Sequence, residues 1–226
     1  MVACMNIATL VCAILGFVAL CISTGGKRWK EDIDMYKETH SFIGLWQACF
    51  ESVGREAIGY PQVDEMCDKD FLRPYLKEPM PWFIAVRSTM LLSVLGSGIG
   101  IILYLLALVT HNSKMSGSKY WPSAGIIFLS GISACVGLTI FTQHKHWAVQ
   151  YEFAGNQFHA QYWKIQEEMV VVDGGEYVIE TWFRWSYMVG WAGFFMTLCT
   201  FVLAVITDID NVVKRQTLLG RDGSYA

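Results

Sequence analysis

The sequence predicts a membrane α-helical protein: a left-handed bundle of four transmembrane helices carrying a small extracellular antiparallel β-sheet. Three observations lead there. Charge is scarce, at 16% of the 226 residues against 54% hydrophobic, where a soluble domain carries about 25% charged residues. The deficit is concentrated in four runs without Asp, Glu, Lys or Arg, at 2–26, 88–113, 120–143 and 185–207. Each approaches or exceeds the roughly 20 residues needed to cross a bilayer as a helix. Finally, five of the seven cysteines lie inside these runs, and only Cys49 and Cys67 lie in a polar segment.

The reading places spans at about 2–24, 83–110, 121–143 and 185–207, all within one domain covering 1–226. No Lys or Arg precedes the first run. A signal peptide has a basic start and a shorter apolar centre, so this run is expected to remain as a helix. The second span offers the small-xxx-small pair Gly96 and Gly100; the third Gly125, Gly131, Ala134 and Gly137; the fourth Gly190 and Gly193. Helices in lipid associate by close backbone approach, which small residues permit. No Asp, Glu or Lys falls in mid-membrane, and pumps and transporters usually need one there. Arg87 falls near one end of the second span. Its expected role is to snorkel to the headgroups or to pair with a loop acid.

Four spans put both termini on one side, and the expected side is the cytosol. The inner segments would then be the loop 111–120, with Lys114 and Lys119 and no acid, and the tail 208–226. Lys27, Arg28 and Lys30 on the other side blunt the positive-inside signal. Cys49 and Cys67 decide the matter, because two cysteines isolated in one loop can bridge only to each other, and only in an oxidising compartment. The expected location is the plasma membrane.

The outer loops are 25–82 and 144–184. In the first, residues 29–36 and 40–50 read as two strands paired across Lys37-Glu38-Thr39. Residues 68–82 carry Pro74, Pro79 and Pro81, which leaves room for a short helix at most. In the second loop the opening residues are expected to continue the third helix. Residues 168–172 and 176–179 flank Asp173-Gly174-Gly175 and read as a hairpin that joins the first loop's sheet. The aromatics there, Trp147, Tyr151, Phe153, Phe158, Tyr162, Trp163, Tyr177, Trp182 and Phe183, suit an interfacial belt and a contact surface equally.

Catalytic chemistry is missing. There is no phosphate-binding glycine loop, zinc spacing, nucleophile elbow or N-glycosylation sequon. His144, His146 and His159 read as solvated surface histidines. No catalytic residue, metal, cofactor or nucleic-acid partner is expected, and the chain is not read as an enzyme.

One constellation carries a resemblance. Trp29, then Gly44-Leu45-Trp46 with Cys49, then Cys67, in a four-span chain, resembles the claudin superfamily. That group includes the peripheral myelin protein and epithelial membrane protein branch and the gamma-type auxiliary subunits of channels and receptors. Ala85-Val86-Arg87-Ser88-Thr89-Met90 resembles the start of the second claudin span, and Tyr187-Met188-Val189-Gly190-Trp191-Ala192-Gly193 that of the fourth. The chain departs from claudins in a wider step from Cys49 to Cys67, a shorter one from Trp29 to Gly44, and a longer second loop.

The resemblance implies a protein of cell–cell adhesion or paracellular barriers, acting through its extracellular sheet at cell junctions. Glu31, Asp32, Asp34, Glu51 and Glu56 would form a charge-selective surface favouring cations. Partners would be membrane lipids and itself, or related four-span proteins, in the same and the apposed membrane. The alternative is an auxiliary subunit docked on a pore-forming channel or receptor. Ser224-Tyr225-Ala226 resembles a PDZ ligand and implies a PDZ scaffold.

Overall fold

The computed structural model describes residues 2–34, 39–52, 66–68, 81–109, 120–144, 147–154, 157–164, 169–172 and 175–222. Glu56, the proline-bearing residues 69–80, residues 110–119 and the terminal Ser224-Tyr225-Ala226 lie outside them.

Four helices form: α1 (Val2–Gly25), α2 (Pro81–Val109), α3 (Trp121–Gln143) and α4 (Trp185–Asp222). All four are long and apolar enough to cross a membrane, at Cys4–Gly25, Pro81–Val109, Trp121–Gln143 and Trp185–Asp210. The absence of charge sets these lengths, since nothing within the runs requires water. α4 continues well past residue 207, so the start of the predicted tail is helical. Among the described residues there are also eight strands: β1 (Lys30–Asp34), β2 (Thr39–Ile43), β3 (Ala48–Ser52), β4 (Met66–Asp68), β5 (Trp147–Ala154), β6 (Gln157–Lys164), β7 (Met169–Val172) and β8 (Gly175–Phe183).

The described residues group into two compact units. One comprises 1–21, 89–136 and 191–226 and is helical. Its helices meet where side chains are smallest. A Cβ on Gly100 would stand 2.4 Å from Ile127 Cγ1, one on Gly131 2.4 Å from Thr197 Oγ1, and one on Gly96 3.0 Å from Ser130 Cβ. Gly125, by contrast, faces open space. Ser133 donates across the crossing to the Thr89 carbonyl at 2.8 Å, and Phe128 stacks on Phe201 at 4.5 Å. Tyr104 donates across to Asn6 Oδ1 at 3.3 Å, while several other hydroxyls turn back onto their own helix: Ser93 to Met90, Ser130 to Ile127, Thr197 to Phe194, Thr200 to Met196 and Thr207 to Leu203. Hydrocarbon offers a hydroxyl no other acceptor. The opposite helix faces leave Ile7, Leu15, Leu95, Leu129 and Phe195 more than half exposed, a surface that only lipid would cover without cost.

The second unit, 22–88 and 137–190, holds the remaining helix ends and every strand. Six strands form one sheet in the order β4-β3-β2-β1-β8-β7, and β5 and β6 form a separate pair. β1 lies between β2 and β8, antiparallel to both, with Lys30 opposite Ile43 and Phe183. β7 and β8 are the hairpin predicted across Asp173-Gly174-Gly175, and β8 joins it to the first loop's strands.

Two expectations are corrected. The predicted strand 40–50 is two strands, because Gly44-Leu45-Trp46-Gln47 is a turn closed by the Gly44 amide donating to the Gln47 carbonyl at 2.9 Å. The residues after α3 do not extend that helix. They form the β5–β6 hairpin in continuous register from Trp147 opposite Lys164 to Ala154 opposite Gln157. Large apolar residues at every second position of β5 (Trp147, Val149, Tyr151, Phe153), with small or polar ones between, favour a strand over a helix.

Candidate functional site

Most of the described residues singled out by the sequence lie in the second unit, where the sheet meets the helix ends. The last carbonyls of a helix have no partner within it. At the end of α1 two tryptophans supply donors: Trp29 Nε1 to the Ser23 carbonyl at 2.6 Å, and Trp46 Nε1 to the Thr24 carbonyl at 2.7 Å. The two indoles therefore act as a cap, each reaching back from the sheet. Trp29 is fully buried, with its ring edge-on to Phe141 of α3 at 5.0 Å and to Tyr187 of α4 at 6.0 Å. Its backbone is held too, donating to the Ile43 carbonyl at 2.8 Å and accepting from the Arg184 amide at 3.0 Å. One residue thus ties α1, α3 and α4 to the sheet.

The Gly44–Gln47 turn makes the second attachment. Leu45 is fully buried, and its carbonyl accepts from Arg87 Nε of α2. The guanidinium also lies over the Trp46 ring at 5.0 Å and the Phe83 ring at 4.8 Å. Arg87 is thereby a clamp between α2 and the turn, whose planar cation suits both a carbonyl and a ring face. Gly44 has a steric reason. A Cβ there would fall 2.6 Å from the Gly26 carbonyl oxygen and 2.7 Å from Lys27 Cα, both backbone atoms. Gly190 meets α1 and α3 in the same way, with Ser23 Oγ at 2.6 Å and Leu138 Cδ2 at 2.9 Å from its would-be Cβ. Trp191 belongs to the helical unit, edge-on to Phe194 at 5.8 Å.

A disulfide joins Cys49 to Cys67, which face each other across β3 and β4. Cys49 is buried and Cys67 exposed.

Two of the acidic residues behave differently from a selective surface. Glu31 and Asp32 are 2% and 4% exposed. Glu31 pairs with Arg184, and Asp32 with Lys30 at 2.9 Å. Neither is an open surface charge, which corrects the expectation for these two residues. Burial pushes the Lys30 ammonium below the ordinary lysine value, and the Asp32 carboxylate beside it opposes that shift. Asp34 and Glu51 are placed by register alone, opposite Thr39 and His40. His144 is not simply solvated: it stacks on Trp82 at 4.6 Å, and its Nδ1 lies 2.8 Å from the Ile140 carbonyl.

Sequence reasoning overlooked Arg184, Phe141 and the carbonyls of Ser23 and Thr24. Arg184 had a signal, as a lone cation directly before a span. A carbonyl has none.

A tryptophan-capped helix end, a glycine turn clamped by a span arginine and a bridged strand pair are the parts of one motif, and residues 2–165 match the PMP-22/EMP/MP20/Claudin family. The chain belongs to that family. Among its curated relatives are the lens fiber membrane intrinsic proteins of Rattus norvegicus and Mus musculus. Each is 25% identical over 190 residues, covering 83% of this chain and 82% of the relative. The family's defining tryptophan, Gly-Leu-Trp and cysteine positions have in this member a structural task. They seat the sheet on the helix ends.

Proposed function

We propose that this multi-pass membrane protein acts in cell–cell adhesion or paracellular barrier formation, with its sheet on the extracellular face and both termini in the cytosol. The observation that carries the reading is the disulfide-bridged sheet seated on helix ends by Trp29, Trp46 and Arg87. A disulfide persists on the oxidising side of a membrane. A sheet anchored at several points keeps a fixed pose, so whatever it meets finds a preorganised surface. Membership of the claudin-containing family supports the same role.

In this reading the partners are further copies or related four-span proteins, in the same and the apposed plasma membrane. Charge selection, if the sheet lines a passage, falls to Asp34, Glu51 and Glu56, since Glu31 and Asp32 are buried and paired. Ser224-Tyr225-Ala226 would add a strand to a PDZ domain on the cytosolic side. No catalysis is assigned.

Expression in non-adherent cells tests the proposal. The expected result is protein enriched at cell–cell contacts and, in an epithelial layer, altered transjunctional resistance. Diffuse surface distribution with unchanged resistance overturns it. Capture in mild detergent of a stoichiometric pore-forming protein in place of self-association would assign the chain to the auxiliary-subunit role.

A further inference from the structure

The β5–β6 hairpin is the part of the fold that the family motif does not explain. It forms a sheet of its own, and its register sorts its residues by chemistry. Successive strand residues alternate between faces, and directly opposed residues share one. One face therefore carries Trp147 and Lys164, Val149 and Tyr162, Tyr151 and Ala160, and Phe153 and Phe158. The other carries Ala148 and Trp163, Gln150 and Gln161, Glu152 and His159, and Ala154 and Gln157. The first face is aromatic or aliphatic along its whole length, with a single Lys at its base. The second is mostly polar.

A two-stranded ribbon with one apolar face is marginal in water unless something covers that face. We propose that the cover is lipid, and that the hairpin lies on the headgroup layer of the protein's own membrane as an amphipathic ribbon.

Two observations select this occupant. The third span ends at Gln143 and β5 begins at Trp147. The ribbon's base is thus within about 13 Å of chain from the bilayer edge, at roughly 3.3 Å per residue. The same end of the second unit also shows a run of exposed tryptophans. Trp182 and Trp185, at the start of α4, are 56% and 50% exposed, and Trp46 is 38% exposed. Tryptophan and tyrosine collect at the membrane–water boundary, and lysine there reaches the headgroups. The hairpin's apolar face has the same composition. An eight-residue strand is about 26 Å long, so a flat ribbon widens the protein's contact with the leaflet considerably. The inference goes beyond the adhesive role and does not depend on it.

The test uses the full chain in phosphatidylcholine nanodiscs, which offer no apposed membrane. A nitroxide is attached through a ketone-bearing amino acid at position 151, 153, 150 or 152, one at a time, so the native cysteines stay in place. Collision with oxygen, which concentrates in lipid, is compared with collision with a water-soluble nickel chelate. The expected result is an oxygen-to-nickel ratio several-fold higher at 151 and 153 than at 150 and 152. Tyr151→Glu with Phe153→Glu should abolish that preference at a nitroxide placed at 160, while the Cys49–Cys67 bridge still forms. High nickel access at all four sites, or shielding of 151 and 153 from both reagents, overturns the proposal. The second outcome would mean that protein covers the face.

Discussion

At the scale of single residues, Trp29 and Trp46 are donors for carbonyls that a helix leaves unpartnered. Trp29→Phe keeps the ring against Phe141 and Tyr187 and removes only the donor to the Ser23 carbonyl. A buried acceptor stripped of its partner costs about 1–3 kcal/mol. The thermal unfolding midpoint in mild detergent should fall accordingly, and an unchanged midpoint would deny the cap its role. The buried pair Lys30 and Asp32 makes a second case. Removing one partner of such a pair costs about 3–5 kcal/mol, while replacing both with apolar residues is far less costly. Lys30→Met with Asp32→Leu should therefore unfold later than either single variant; additive losses would show that the two charges are independent. The pH dependence has a definite sign. Because the folded Lys30 pKa lies below the ordinary value, the unfolded chain binds this proton more tightly. Between the two values this group's contribution to stability rises with pH, and Lys30→Met should remove that part of the slope. These buried charges were invisible in the sequence, where Lys30-Glu31-Asp32 looks like a solvated strand. Only the position of β1 in the middle of the sheet buries them.

Among the elements, those fixed by local chemistry were legible and those fixed by tertiary placement were not. The four helices follow from uncharged length alone, and the β7–β8 hairpin from β-branched runs around Asp-Gly-Gly. The split between β2 and β3 was missed because Gly44-Leu45-Trp46-Gln47 looks apolar and extended. It turns because Gly44 must lie against the backbone of Gly26 and Lys27. The hairpin β5–β6 was missed because its first residues follow α3 closely and are as aromatic as a helix extension would be. The glycines rank themselves. Gly44→Ala would press a methyl into backbone atoms that cannot move aside, whereas Gly125→Ala adds one to open space and removes backbone freedom from the unfolded chain. The first should lower the unfolding midpoint markedly, and the second should leave it unchanged or raise it slightly. Equal effects would mean that the turn does not seat on the chain leaving α1. Gly100→Ala should also be costly, since Ile127 Cγ1 belongs to a buried, β-branched side chain that is stiff in a helix.

For the molecule as a whole, the decisive question is sidedness, and the disulfide ties it to folding. The bridge closes β4 onto β3, with a sequence separation of 18 residues. Loop-closure entropy gives such a bridge about 3 kcal/mol. β4 has only three residues and pairs with β3 alone among the described strands. Without the bridge its hold on the sheet is a few backbone bonds at an edge. Cys49→Ser should therefore leave the protein retained before the cell surface. Cys67→Ser should do the same, although Cys67 is exposed and its side chain contributes little packing. That equality separates loss of the bridge from loss of a buried thiol. If the sheet is extracellular, an epitope at either terminus should stain only after permeabilisation, while a maleimide reagent that cannot cross membranes should label Cys67 in intact cells after mild reduction. Normal surface delivery of both cysteine variants would argue against a structural disulfide, and staining of a terminus on intact cells would place the sheet on the reducing side. The adhesive reading would fall with it, because a surface that faces the cytosol meets no neighbouring cell.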